Sequence, residues 1–138
     1  MWDYILNNFW LVMIAAGSAV VIVWPFFAKR LVGFQELSPQ EAVQVMNHRN
    51  AVVIDIRQQG QFVGGHLVNA KNFPVDVIRE SIEKLTKYKN KVILLVGESS
   101  GQARKVHVFL RQQEFNEVYA LEGGITAWKQ ANLPTKKG

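Results

Sequence analysis

The chain has 138 residues, a formal net charge of +5 and no cysteine. That length holds one small domain plus an appendage, and the missing thiol excludes disulfides, thiolate metal sites and thiol catalysis. The positive residues are scattered, without the aromatic interleaving of a nucleic-acid surface. His48, His66 and His107 lie too far apart to suggest a metal site, so neither metal, cofactor nor nucleic acid is expected.

In chain order, the first feature is a run of 19 uncharged residues, Phe9 to Phe27, closed off by Asn7-Asn8 and Lys29-Arg30. As a helix it would span roughly 28 Å, close to a hydrocarbon core of about 30 Å. Trp10 and Trp24 stand near its ends, where amphipathic rings prefer the interface, and Pro25 falls in its last turn. A cleavable signal peptide would need positive charge before the run and small residues after it. Here Ala15 to Ala19 lie inside the run, and the first eight residues carry only Asp3 and the amino terminus. The expectation is a retained transmembrane anchor over residues 1–30 and a globular domain over 31–138. Lys29 and Arg30 after the span keep that domain in the cytoplasm by the positive-inside rule, which places the protein in the cell (inner) membrane as a single-pass chain.

Residues 31–36 read as a linker. Ser38 with Glu41 makes a capping box and Pro39 sits at the first helical position, so a helix runs to about His48. Ala51-Val52-Val53-Ile54-Asp55 is a buried strand ending in a carboxylate. Gly64-Gly65 marks a turn and Phe73-Pro74 ends a short extended piece. Asp76 to about Thr86 carries Ile78, Ile82 and Leu85 at helical spacing. Lys84, Lys87, Lys89 and Lys91 share one segment; they read as a solvated face or, beside an anchor, as weak attraction for anionic lipid. Val92-Ile93-Leu94-Leu95-Val96 is a strand apolar on both faces. Gly97, Glu98, Ser99, Ser100 and Gly101 interrupt it, and from Gln102 apolar residues return at helical spacing. Strand, small-residue loop and helix form a pocket whose amides and helix dipole favour an anion. Arg104, on the first turn, is placed to meet such an anion or to face solvent. Val118-Tyr119-Ala120-Leu121 is another strand, and Gly123-Gly124 turns it into a helix carrying Ile125 and Trp128. Doubly apolar strands alternating with helices give an α/β fold with a parallel sheet.

The ordered motifs resemble a single-domain rhodanese. The front half is Asp55-Ile-Arg57, Phe62, Gly65-His66-Leu67, Ala70 and Asn72-Phe73-Pro74. The back half is the buried strand and loop, Phe115 through Gly123-Gly124-Ile-Thr-Ala-Trp128, then Leu133-Pro134. The anchored layout resembles the membrane-tethered bacterial rhodanese-like proteins. The resemblance implies a five-stranded parallel sheet flanked by helices, here preceded by one transmembrane helix. It also implies a loop in which a cysteine carries sulfane sulfur. Counting from Val96 and back from Phe115 places Gly97 at the cysteine position; counting from Gly101 places Glu98 there, and neither is a thiol.

Ser99 and Ser100 cannot replace the thiol, because a hydroxyl needs an adjacent base and does not hold sulfane sulfur. No catalytic residue is therefore expected. Gly97, Glu98, Ser99, Ser100, Gly101, Gln102 and Arg104 remain as anion-binding candidates. Asp55, Arg57, Gly65, His66, Gly123, Gly124 and Trp128 read as mainly structural. The expected function is a membrane-anchored, catalytically inactive binding or scaffolding module whose partners are the lipid bilayer and a protein, such as another membrane protein. The alternative is a sulfur carrier, or a binder of sulfate, thiosulfate or phosphate, that relies on a partner's cysteine.

Overall fold

The computed structural model describes every residue except Val32 and Ser99, together with the side chains of all but residues 26–32 and 99–100. The chain forms two compact units, Met1–Gly33 and Phe34–Gly138.

The first unit is helical. α1 (Trp2–Asn7) ends at Asn8, whose side-chain amide donates to the Tyr4 carbonyl at 2.9 Å. α2 (Phe9–Leu31) then continues for 23 residues. Pro25 lies inside α2, not in its last turn, because six residues follow it in the helix. Every described side chain from Phe9 to Pro25 is exposed. Among the described residues no helix is long and apolar enough to cross a membrane; the end of the expected span, Phe26 and Phe27 with Lys29 and Arg30, lies outside the described side chains.

The second unit is an α/β domain around five parallel strands ordered β1-β5-β4-β2-β3. β1 (Gln35–Leu37) overlaps the end of what reads as a linker and is an edge strand against β5 (Glu117–Leu121). α3 (Pro39–His48) starts at Ser38, whose hydroxyl accepts the Glu41 amide at 3.2 Å. β2 (Val52–Asp55) follows, then α4 (Gln59–Val63), a short helix that no apolar periodicity announces, and the other edge strand, β3 (Lys71–Asn72). The helix expected from Asp76 is mostly turns; only α5 (Ile82–Leu85) and a 3-10 turn (Thr86–Tyr88) are helical. Three-residue turns follow one another there, Val77 N–H to Pro74 O and Glu80 N–H to Val77 O among them. Ile78 and Leu85 are nonetheless buried, so the spacing serves the core without a continuous helix.

β4 (Val92–Val96) is central and buried at every position, because helices cover both faces. Its side chains alternate between two cores. Ile93 and Leu95 join Ile54, Leu85, Val106, Leu110 and Phe115 on the face covered by α6 (Ser100–Gln112). Leu94 and Val96 join Val53, Ala42, Leu121, Ile125 and Trp128 on the face covered by α3 and α7 (Gly124–Gln130).

Candidate functional site

In a parallel α/β sheet, ligands meet the chain at the carboxyl ends of the strands. Here Asp55 and Val96 are register partners on β2 and β4. The residues two positions beyond each, Arg57 and Glu98, therefore come side by side. Asp55 is fully buried and Arg57 is 4% exposed. The guanidinium Nε donates to both Asp55 oxygens, at 3.0 and 3.1 Å, and Nη2 donates to Asp55 Oδ2 at 2.7 Å and to the Gly65 carbonyl at 2.7 Å. The Arg57 amide adds a further bond to Asp55 Oδ1 at 3.0 Å. Such a forked, charge-assisted set fixes the plane of the guanidinium. Its remaining nitrogen, Nη1, faces the loop and meets the half-exposed Glu98 carboxylate at 3.6 Å.

The supports of this cluster come from β3 and α4. The Asn72 amide donates to the carbonyls of Asp55 and Arg57 at 3.1 and 2.9 Å, tying down the turn between the two charges. Asn72 stands in the motif string, but its double contact was not legible there, because the donor lies 17 residues from the strand end it secures. His66 is buried beside Gly65 and stacks on Phe62, with ring centroids 3.9 Å apart and planes within 4°. Its Nδ1 donates to the Leu67 carbonyl at 2.8 Å, and its buried Nε2 has no hydrogen-bond partner among the described residues.

The loop between β4 and α6 is three residues long, Gly97 to Ser99. Gly97 is buried, and its carbonyl accepts the Ile125 amide at 3.1 Å, which seats the loop on the first turn of α7. Gly123, the residue before α7, has φ 72° and Gly124 has φ 60°, both left-handed. Trp128 lies in the core with its Nε1 donating to the Pro134 carbonyl at 2.9 Å.

The structure thus gathers Asp55, Arg57, Gly65 and Glu98 into one cluster and sets Gly97 against Gly123–Gly124. Ser99 and the Ser100 side chain lie outside the described residues. Gly101 and Gln102 are exposed. Arg104 does not join the loop: its guanidinium lies over the Phe34 ring, 4.8 Å from the centroid, and is open to solvent. Among the described residues no group of three or more His, Asp or Glu is arranged to hold a metal ion.

His107 also lies away from the loop. It is 6% exposed on α6, edge-on to Phe34 at 5.5 Å, and its Nδ1 has no partner among the described residues. Burial first, then the positive charge of Arg111 and Arg104, pushes its pKa below the ordinary 6.5. The folded state therefore holds fewer protons than the unfolded one as the pH drops through that value. Stability is complete above about pH 6.5 and is lost as the pH falls from there toward the lower folded-state pKa. His107→Leu removes the titrating group and is expected to flatten the slope of unfolding free energy between pH 7 and 5; an unchanged slope in urea titrations would assign it to other groups.

The comparisons agree with this geometry. The rhodanese-like domain family matches residues 38–131. YibN of Escherichia coli K12 is 31% identical over 99 residues, which cover 71% of this chain and 69% of that protein. A thiosulfate sulfurtransferase, GlpE of Coxiella burnetii, is 32% identical over 102 residues, covering 74% of this chain and 92% of its own length. A tRNA uridine(34) hydroxylase of Cronobacter sakazakii is 27% identical over 141 residues, covering 94% of this chain and 40% of that enzyme. Among solved structures, a rhodanese-related protein of Thermoplasma volcanium has a TM-score of 0.67 at 20% identity, covering 75% of this chain and 98% of its own. At that identity the likeness speaks for the fold alone. From the family match and the relatives together, the chain belongs to the rhodanese-like domain family, related to sulfurtransferases and to a tRNA hydroxylase, and it does so without a cysteine.

Proposed function

We propose that the protein is a membrane-anchored, catalytically inactive rhodanese-like module that recruits a protein partner at the cytoplasmic face of the inner membrane. The observation that carries the reading is the content of the loop. Where the family carries sulfur on a thiol, this chain has no cysteine, a buried Gly97 and a carboxylate, Glu98, turned toward Arg57. That carboxylate already meets the guanidinium nitrogen that faces the loop, so an external sulfate, thiosulfate or phosphate would have to displace it. This favours a binding role over the anion-carrier alternative. A cleft of about 650 Å³ beside the cluster, lined by Phe62, Val63, Pro74 and Val77 among others, offers apolar surface to a partner.

α2 supports the anchor. Its described side chains from Phe9 to Pro25 are all exposed and uncharged, a surface of roughly 26 Å at 1.5 Å per residue, and such a surface is an aggregation liability in water that a bilayer would cover. Lys29 and Arg30, which follow the uncharged run, support the cytoplasmic orientation.

The test has two arms. Purified chain is expected to show no thiosulfate:cyanide transfer above the uncatalysed rate, and robust turnover would overturn the inactive reading. A pull-down in mild detergent is expected to recover partners with the full chain and fewer with the Phe34–Gly138 fragment. Equal recovery would remove the anchor from recruitment and leave the domain alone responsible.

A further inference from the structure

Because the five strands are parallel, their amino ends lie on one side of the sheet and the Arg57–Glu98 loop lies on the other. The domain begins at Phe34 and runs into β1 in the same direction, so the chain reaches the sheet from the amino side. The turn before β4 lies on that side, and it is basic. Tyr88 is ringed by three ammonium groups: Lys87 Nζ stands 5.1 Å from its ring centroid, and Lys71 and Lys91 each stand 5.9 Å away. Lys89 follows in the same turn. Among the described residues none of these lysines forms an ion pair, whereas neighbouring Arg49 is neutralised by Glu117 at 2.8 Å. Of the acids in the turns that lead into β2, β4 and β5, only Glu114 is left over.

The cluster is held in place. Asn116 donates its amide to the Lys89 carbonyl at 3.2 Å and its side chain to Asn90 at 3.1 Å, so the turns before β4 and β5 brace each other. Burial would raise the Tyr88 phenol, but Lys87 and Lys71 together bring it below its usual range. That is the mark of a concentrated positive field. Three lysines gathered round one ring, with Lys89 in the same turn, repel each other, and a solvated face has no need to collect them.

We infer that this amino-side face docks on anionic lipid headgroups of the same bilayer that holds α2. The inference rests on the anchor reading above. Three peptide steps separate Leu31 from Phe34, a covalent reach of at most about 11 Å. That is close to the distance over which charges are felt at physiological salt, about 8 Å. Lysines near an anionic leaflet each strengthen partitioning by about fivefold. The same docking would turn the Arg57–Glu98 loop away from the lipid, toward a cytoplasmic partner.

The experiment uses the full chain in nanodiscs of phosphatidylcholine alone or mixed with phosphatidylglycerol. Lysine acylation is read site by site by mass spectrometry. Lys87, Lys89 and Lys91 are expected to react about threefold or more slowly in the anionic discs, with the difference lost near 1 M salt, where the screening length is about 3 Å. Lys105, on α6 beside Gln102 and Asp76, should react equally in both. Lys87→Glu combined with Lys91→Glu, two exposed substitutions, should abolish the protection at Lys89. Equal reactivity in the two lipids overturns the inference, as does protection that appears only when acidic membrane proteins are added. Carbonate extraction separates the two claims. A chain that stays in the pellet while showing no lipid-dependent protection sinks this inference alone; a chain that is extracted sinks the anchor and the docking with it.

Discussion

Asp55→Ala is expected to lower the stability of the domain by about 3–5 kcal/mol, the scale for breaking a buried ion pair by removing one partner. The carboxylate accepts the Arg57 amide and three hydrogen bonds from the guanidinium, with neither group open to water. Taking it away strands a positive charge at 4% exposure with only the Gly65 carbonyl and a Glu98 contact of 3.6 Å to meet it. Against a total of about 5–15 kcal/mol for a domain, that loss leaves a substantial unfolded fraction at 37 °C. Urea unfolding of the Phe34–Gly138 fragment reads it cleanly, because Trp128 is the sole tryptophan in that span and is 3% exposed. Glu98→Gln supplies the contrast. Its side chain is 43% exposed, its contact is long, and its loss is expected to change stability by no more than about 1 kcal/mol. A loss below about 1 kcal/mol for Asp55→Ala would mean that water reaches the site and the pair does not hold the strand ends together.

How far the residues announce this arrangement depends on whether the constraint is local. β4 is legible because five consecutive apolar residues can be satisfied only by cover on both faces. Ser38 and Glu41 are legible because a cap is made by groups three residues apart. β1 is not: Gln35-Glu36-Leu37 has no apolar run, and it becomes a strand because β5 offers an open edge, with Leu37 O accepting the Glu122 amide at 2.8 Å. The segment from Asp76 shows a third case. Its helical spacing follows from which side chains must be buried, yet Pro74 starts a series of turns that buries the same residues without a helix.

The site divides along the same line. Asp55 and Arg57 are two residues apart at a strand end, so their pairing can be anticipated. The approach of Glu98 depends on the register of β2 against β4, which no local pattern carries. Once that register is known, the contact is nearly forced. Arg104 shows the reverse: its sequence position points at the loop, and it lies instead over Phe34, an aromatic face that the fold brings from 70 residues earlier in the chain.

Gly124→Ala carries the other large expected effect. A Cβ at this position would lie 2.0 Å from the Gly97 carbonyl oxygen and 3.0 Å from its carbon, contacts with backbone that no rotamer change relieves. The residue also has φ 60°, where an L side chain pays a strain of about 1–2 kcal/mol. Adding about 1–3 kcal/mol for forcing atoms into a packed region gives a loss of about 2–5 kcal/mol. The consequence is more than thermodynamic. Relief requires moving the Gly97 carbonyl away from the Ile125 amide, so the β4–α6 loop would leave its seat on α7 and carry Glu98 away from Arg57. Amide chemical shifts of Glu98 and Ile125 should therefore move together in the variant, along with the drop in unfolding midpoint. Gly60→Ala is the control, since a Cβ there meets nothing within 4 Å and the site is helical. It is expected to be neutral or stabilising by up to about 1 kcal/mol. If Gly124→Ala were tolerated as easily as Gly60→Ala, the close seating of the loop on α7 would be wrong, and with it the geometry that aims Glu98 at the buried guanidinium.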